Sequence, residues 1–150
     1  MVRMNQEHLM NSFGKLVVKM GLLSLLSVMP LAAQIDNGVD FTTSFPFYAG
    51  DTKLPAGHYK VTQPDANADL LLVQSINGAH SVFVEFVPTQ SAQPHRQSDI
   101  TFRKYGDTDY LNRVWIEGQN YGIKIAPGKV ETEATADTSA VQHSTVARGQ

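Results

Sequence analysis

Between Val39 and Ile125 the chain repeats one device: a short run in which apolar and polar residues alternate, closed off by Gly, Pro, Asn or Asp. A period of two sends successive side chains to opposite faces of an extended strand, giving each run one face for a core and one for water. Val39, Phe41, Thr43, Phe45 and Phe47 share a face, and Asp40, Thr42 and Ser44 share the other. Turns at Ala49-Gly50-Asp51 and Leu54-Pro55-Ala56-Gly57 precede a second run, 58–63, in which Tyr59 and Val61 lie on one side. Leu70–Ile76 then meets Ala79–Val87 across Asn77-Gly78. That dipeptide predicts a tight type I′ turn with both central residues at positive φ.

Residues 88–98 (PTQSAQPHRQS) are polar and hold two prolines, which predicts a long loop because proline cannot donate to a strand ladder. Ile100–Tyr105, Tyr110–Glu117 and Tyr121–Ile125 complete a set of seven strands. The fold class that follows is all-β: one small antiparallel β-sandwich or barrel, with both forms open at this level.

The two ends of the chain read differently. Arg3, Lys15 and Lys19 precede the apolar run Met20–Leu31, which is followed by Ala32-Ala33. Positive, apolar and small residues in that order predict a secretion signal over 1–33. The 12-residue apolar run is short of the roughly 20 residues a spanning helix needs, so no permanent membrane span is expected after processing. Cleavage after Ala33 puts Leu31 where a small residue is preferred, which leaves the exact cut open. The expected location is the periplasm or the cell exterior.

At the other end, 127–150 is expected to be a polar, disordered tail, because 137–150 (DTSAVQHSTVARGQ) has no aromatic residue and no apolar period. Residues 129–136 allow a short helix, marginal in isolation. Removing 137–150 should on this reading leave stability almost unchanged. The β domain proper is placed at 39–126.

Composition narrows the function classes. The chain has no cysteine, so disulfides and a lipid-modified cysteine are both ruled out. From Gln34 onward nine Lys and Arg face thirteen Asp and Glu, a net charge of −4. The basic residues are scattered singly, and nucleic acid, which needs them clustered, is not an expected partner.

The segments FPFYAGDTKLPAGHYKV (45–61), LLLVQSINGAHSVFV (70–84), FRKYGD (102–107) and YLNRVWIEGQNYG (110–122) resemble a group of short exported β-rich proteins found mainly in Acidobacteria. The likeness spans about 39–126. The group has no assigned activity, so the resemblance implies export and a β fold, and it carries over no active site. Relatives run into a charged helical stretch at the C-terminal end, where this chain is rich in Ala, Thr and Ser.

No catalytic constellation stands out. Asp65, Asn67 and Asp69 have the opening spacing of a calcium loop, yet Leu70 and Ile76 stand where an EF-hand needs glycine and glutamate. A looser cation site in that loop is the minor alternative to a solvated turn. His58, His80 and His95 lack the short-spaced pairing of a zinc site, although strand pairing could join the first two. Glu85 and Glu117 lie on separate runs and would need to face each other to act as a glycosidase pair. Gly-x-Ser-x-Gly, Ser-x-x-Lys and Cys/His signatures do not occur. Neither an enzyme nor a cofactor is expected.

The remaining candidate is a binding surface made of Tyr105, Tyr110, Arg113, Trp115 and Tyr121, suited to a glycan or an apolar ligand, and equally suited to filling a β core. The leading expectation is an exported, non-enzymatic binding or envelope-associated module, with a glycan, an apolar ligand or an envelope protein as partner. The rival expectations are a small-molecule carrier with an apolar barrel cavity, an unrecognised hydrolase, and an outer-membrane barrel.

Overall fold

The alternating runs form strands that bend into a closed ring. The structure, a computed structural model, describes residues 38–64, 69–137 and 139–149. The expected signal at 1–33, and Asp65 and Asn67 of the expected cation loop, lie outside the described residues. Ten strands appear: β1 (Val39–Thr43), β2 (Phe47–Ala49), β3 (Thr52–Leu54), β4 (Gly57–Thr62), β5 (Leu70–Ser75), β6 (Ser81–Gln90), β7 (Asp99–Tyr105), β8 (Thr108–Trp115), β9 (Tyr121–Ile125) and β10 (Val141–Gly149). One helix, α1 (Lys129–Asp137), sits between β9 and β10.

Neighbours in the sheet run β8-β7-β10-β1-β4-β5-β6-β9, and β9 pairs back onto β8. Eight antiparallel strands therefore close a barrel, which settles the choice between sandwich and barrel. The β2–β3 hairpin lies outside the ring, with β2 parallel to β8 through Phe47↔Asp109 and Tyr48↔Tyr110. Strand β9 takes the other half of the same β8 edge through Arg113, Val114 and Trp115. A bulge opposite the Thr101/Phe102 step leaves Asn112 as the extra residue between those halves.

Inward side chains fill the barrel. Phe41, Phe47, Tyr59 and Phe102 are fully buried. Their rings meet at centroid distances of 5.2 Å (Phe47–Tyr59), 5.4 Å (Phe47–Phe102) and 5.7 Å (Phe41–Tyr59). Leu71, Val73, Val84, Ile100, Leu111, Val114, Ile123 and Ile125 surround them, and the β2–β3 hairpin adds Ala49 and Leu54. Tyr59 keeps its hydroxyl satisfied by donating to the Pro55 carbonyl at 2.7 Å. Burial pushes the pKa of that phenol up.

Five sequence expectations need correction. The run Val39–Phe47 is two strands, because the chain turns at 44–46 around Pro46, with the Thr43 hydroxyl donating to the Phe45 carbonyl at 2.9 Å. Among the described residues the count is consequently ten strands, eight of them in the barrel, against the about seven expected. Strand β6 continues through Pro88 to Gln90. The Phe86 N–H points towards β5, donating to the Asp69 carbonyl, so two residues later the missing Pro88 N–H faces the same side, beyond the end of β5. The ladder with β9 therefore loses no bond at Pro88.

The hairpin of β5 and β6 holds the expected register, Leu72↔Phe83 and Gln74↔Ser81, yet its turn is not type I′. Among the described residues only glycines have positive φ, so Asn77 does not, while Gly78 does at 73°. Asn77 works through its side chain, whose Oδ1 accepts from the Ala79 N–H at 3.0 Å and the Ser75 hydroxyl at 2.8 Å.

The largest correction concerns the C-terminal end. Residues 127–150 are not a disordered tail beside a domain ending at 126: they form α1 and then β10, a stave of the barrel. Val141–Val146 pair with Asp99–Lys104 of β7, and Ala147–Gly149 pair with Val39–Phe41 of β1. A polar segment can do this because β7 and β1 are both edges without it, and together they offer partners to its backbone.

Candidate functional site

The five residues of the expected binding surface do not share a surface. Strand alternation puts Tyr105, Tyr110, Arg113 and Trp115 on the outer wall of β7 and β8, while Tyr121 packs against the core from inside. Tyr110 is buried, stacked on Tyr48 at 5.3 Å and met edge-on by Tyr105 at 5.7 Å. Burial, with help from Tyr48, Glu131 and Tyr105, raises its pKa and keeps the phenol neutral. Trp115 is buried too, with one face stacked on His95 at 4.2 Å and 12°.

Opposite Trp115 in the ladder is Gly122, and a Cβ there would fall 2.5 Å from the indole Cε3. Glycine is what lets the indole lie against the strand. Both the tyrosine group and the tryptophan thus spend their ring faces on intramolecular contacts, the alternative that the sequence left open.

Helix α1 seals this wall. Asp51 Oδ1 accepts from the Val130 N–H at 3.1 Å, capping the first turn. Glu131 then turns inward and is buried, with Arg103 Nη2 2.9 Å from its Oε1. The approach is off the line of a hydrogen bond, so the attraction is ionic. Burial lifts the Glu131 pKa, and the opposing pull of Arg103 and Lys124 does not cancel it.

The histidines separate. His58 and His80 line one open groove of about 330 Å³ with Tyr59, Ser75 and Asn77. His95 Nδ1 lies 3.2 Å from Asp99 Oδ2. His143, which the sequence did not single out, places Nε2 2.6 Å from Asp109 Oδ1. Among the described residues no three His, Cys, Asp or Glu gather in metal-binding geometry. Glu85 faces solvent on β6 opposite Leu70, whereas Glu117 bridges to His95 beyond the end of β8, so neither lies in a shared cleft.

What stays open to solvent is an apolar stripe on the outer wall of β5 and β6. Phe83 is 60 % exposed, Ile76 54 % and Val87 52 %, with Leu70 beside them. Leu72 stands directly opposite Phe83, Leu70 opposite Glu85, and Val87 opposite Lys124. The stripe is thus centred on Phe83 and Leu72, with Glu85 between Phe83 and Val87 and Lys124 beside Val87. The signal for it was present in LLLVQSI (70–76) and SVFVEFV (81–87), both apolar on the two faces, where a half-buried strand should be polar on one.

No family model, no curated protein and no solved structure matches this chain. The described residues form a closed eight-stranded antiparallel barrel with an aromatic core, covered on one wall by α1. Among the described residues no helix is long and apolar enough to cross a membrane.

Proposed function

We propose that this chain is an exported, non-enzymatic binding module that acts in the periplasm or at the cell exterior and docks an apolar-surfaced envelope protein on the outer wall of β5 and β6. The observation that carries this reading is Phe83, an aromatic side chain 60 % exposed on β6, with Leu72 directly opposite it and Val87 further along the same face. Contiguous apolar surface of that kind marks interaction sites. An aromatic anchor with charged neighbours, here Glu85 between Phe83 and Val87 and Lys124 opposite Val87, matches the make-up of protein interfaces. Export is supported by the order of residues in 1–33.

The rival readings fit the geometry less well. A carrier needs interior space, and the four rings of Phe41, Phe47, Tyr59 and Phe102 occupy the barrel. An outer-membrane barrel has an apolar outer band and a polar lumen, whereas here the interior is filled by apolar side chains and Lys60, Glu85, Arg103 and Lys124 break up the outer wall. A glycan platform needs a free ring face, and Trp115 has one covered by His95 and lies against Gly122.

The test is the double variant Phe83→Ser/Val87→Ser, which leaves the barrel core untouched. Burying two such side chains contributes about 1.5–3 kcal/mol each, so the share of exported protein sedimenting with the envelope should fall more than about tenfold. Equal sedimentation of wild type and a folded variant would refute the docking surface.

A further inference from the structure

We propose that the slot between β1 and β7 is an exchange site that accepts the β10 strand of a second copy of this chain. The strand that fills it in one copy is held mostly through its backbone ladder and by few side chains. Of β10, Ala147 alone is fully buried, and the apolar Val141 and Val146 point into solvent. Its side-chain ties to the barrel run through two residues: His143, paired with Asp109 and packed on the rings of Phe45 and Phe102, and Thr145, whose hydroxyl donates to the Thr42 carbonyl at 3.3 Å. The seam with β1 is three residue pairs long.

Holding each residue of a strand in place costs about 1–2 kcal/mol of conformational entropy. With so little burial to offset that, β10 belongs to the part of the fold that opens first. Opening carries the cost of the empty slot as well. It leaves two facing strand edges unpaired, wets Phe102 and Phe41, and strips the buried Asp109 carboxylate of its partner.

What refills the slot must be extended, must carry an imidazole where it reaches Asp109, and must be small beside Phe41, as Ala147 is. Every copy of the chain carries that segment. The contacts made in cis and in trans are the same, so the balance is set by concentration against a tethered effective concentration on the order of millimolar. The site thus commits this barrel to reciprocal strand exchange wherever copies are crowded.

The absence of native cysteine permits a clean test on the full chain. Ser144 and Thr101 are directly opposed. The Ala147 N–H donates to the Ser98 carbonyl, which makes Ser144–Thr101 one of the close, non-hydrogen-bonded pairs that suit a disulfide. Chain carrying Thr101→Cys is mixed with chain carrying Ser144→Cys under mild oxidation, and the control replaces the second partner with Gln74→Cys on the outer wall of β5. The double variant Thr101→Cys/Ser144→Cys verifies that the pair closes within one chain.

Exchange is expected to give the Thr101→Cys/Ser144→Cys heterodimer at least about tenfold faster than the control pair, and pre-closed double-variant chains should form none. Equal rates for the test and control pairs would mean random collision and overturn the proposal. Failure of the double variant to close within one chain would overturn it as well, since β10 would then not occupy the slot. Heterodimers that form equally from pre-closed chains would point to a partner surface elsewhere and count against it.

Discussion

His143 Nε2 lies 2.6 Å from Asp109 Oδ1, joining the last strand of the chain to a carboxylate that is only 4 % exposed on the inner side of β8. Phe102 stacks on the imidazole at 5.6 Å and Phe45 meets it edge-on at 5.2 Å, so apolar rings hold the ring in line with the carboxylate. His143→Ala should leave Asp109 buried and unpaired. A hydrogen bond to a charged group contributes about 1.5–3 kcal/mol, and the urea midpoint should fall accordingly. Val146→Ala, on the exposed face of the same strand, should change stability by less than about 0.5 kcal/mol. Equal effects from the two variants would mean that the pair does not hold β10.

Truncation at Ala140 turns the earlier expectation around. A disordered tail would be dispensable, but β10 supplies the ladder partners of Asp99–Lys104 and Val39–Phe41. Losing the strand should cost more than about 3 kcal/mol, the scale of leaving a buried charge unpaired together with two open edges. Chemical denaturation of the truncated chain measures this, and a loss below about 1 kcal/mol, less than the removal of real contacts costs, would contradict the barrel closure described above.

Glu131 gives a pH signature. Its carboxyl is held above the ordinary value of 4.5 by burial, so the folded chain binds this proton more tightly than the unfolded chain. The contribution to stability is complete below the ordinary carboxyl value and is lost as pH rises through the raised one. Glu131→Gln does not titrate. The stability of the wild type minus that of the variant should therefore decline from about pH 4 towards neutrality, as linkage requires of a raised carboxyl pKa. A difference that grows with pH would show that the attraction of Arg103 outweighs burial.

Gly122→Ala reports on the single tryptophan. The added methyl would lie 2.5 Å from the Trp115 ring and 2.6 Å from the Val114 carbonyl oxygen, so the indole must move and its stack on His95 must break. Overpacking of this kind costs about 1–3 kcal/mol. Trp115 fluorescence should shift towards that of a solvated indole even where the fold survives, and an unchanged spectrum would mean that the indole does not lie over Gly122.

The β character was legible because alternation and turn residues are local signals: Val39–Thr43, Gly57–Thr62 and the register across Asn77-Gly78 follow from them. What escaped was non-local. QHSTVAR (142–148) has no apolar period, and its strand state comes from two edges contributed by residues about 40 and 100 positions away. His143 was invisible for the same reason, since nothing near it in sequence suggests Asp109. Pro88 was read as a stop because sequence shows that proline lacks a donor, but not which side of the strand that donor would face. Trp115 and Tyr110 stood out as aromatics, while the neighbours that cover them, His95 and Tyr48, became apparent only through pairing.

The proposed docking wall is tested most directly by a photo-crosslinking amino acid in place of Phe83 in the exported protein, with the same probe at Thr42 on the outer face of β1 as the control. A discrete envelope-protein adduct is expected from position 83, weakened by Val87→Ser, and none from position 42. The same adducts from both positions, or none from position 83, would contradict it.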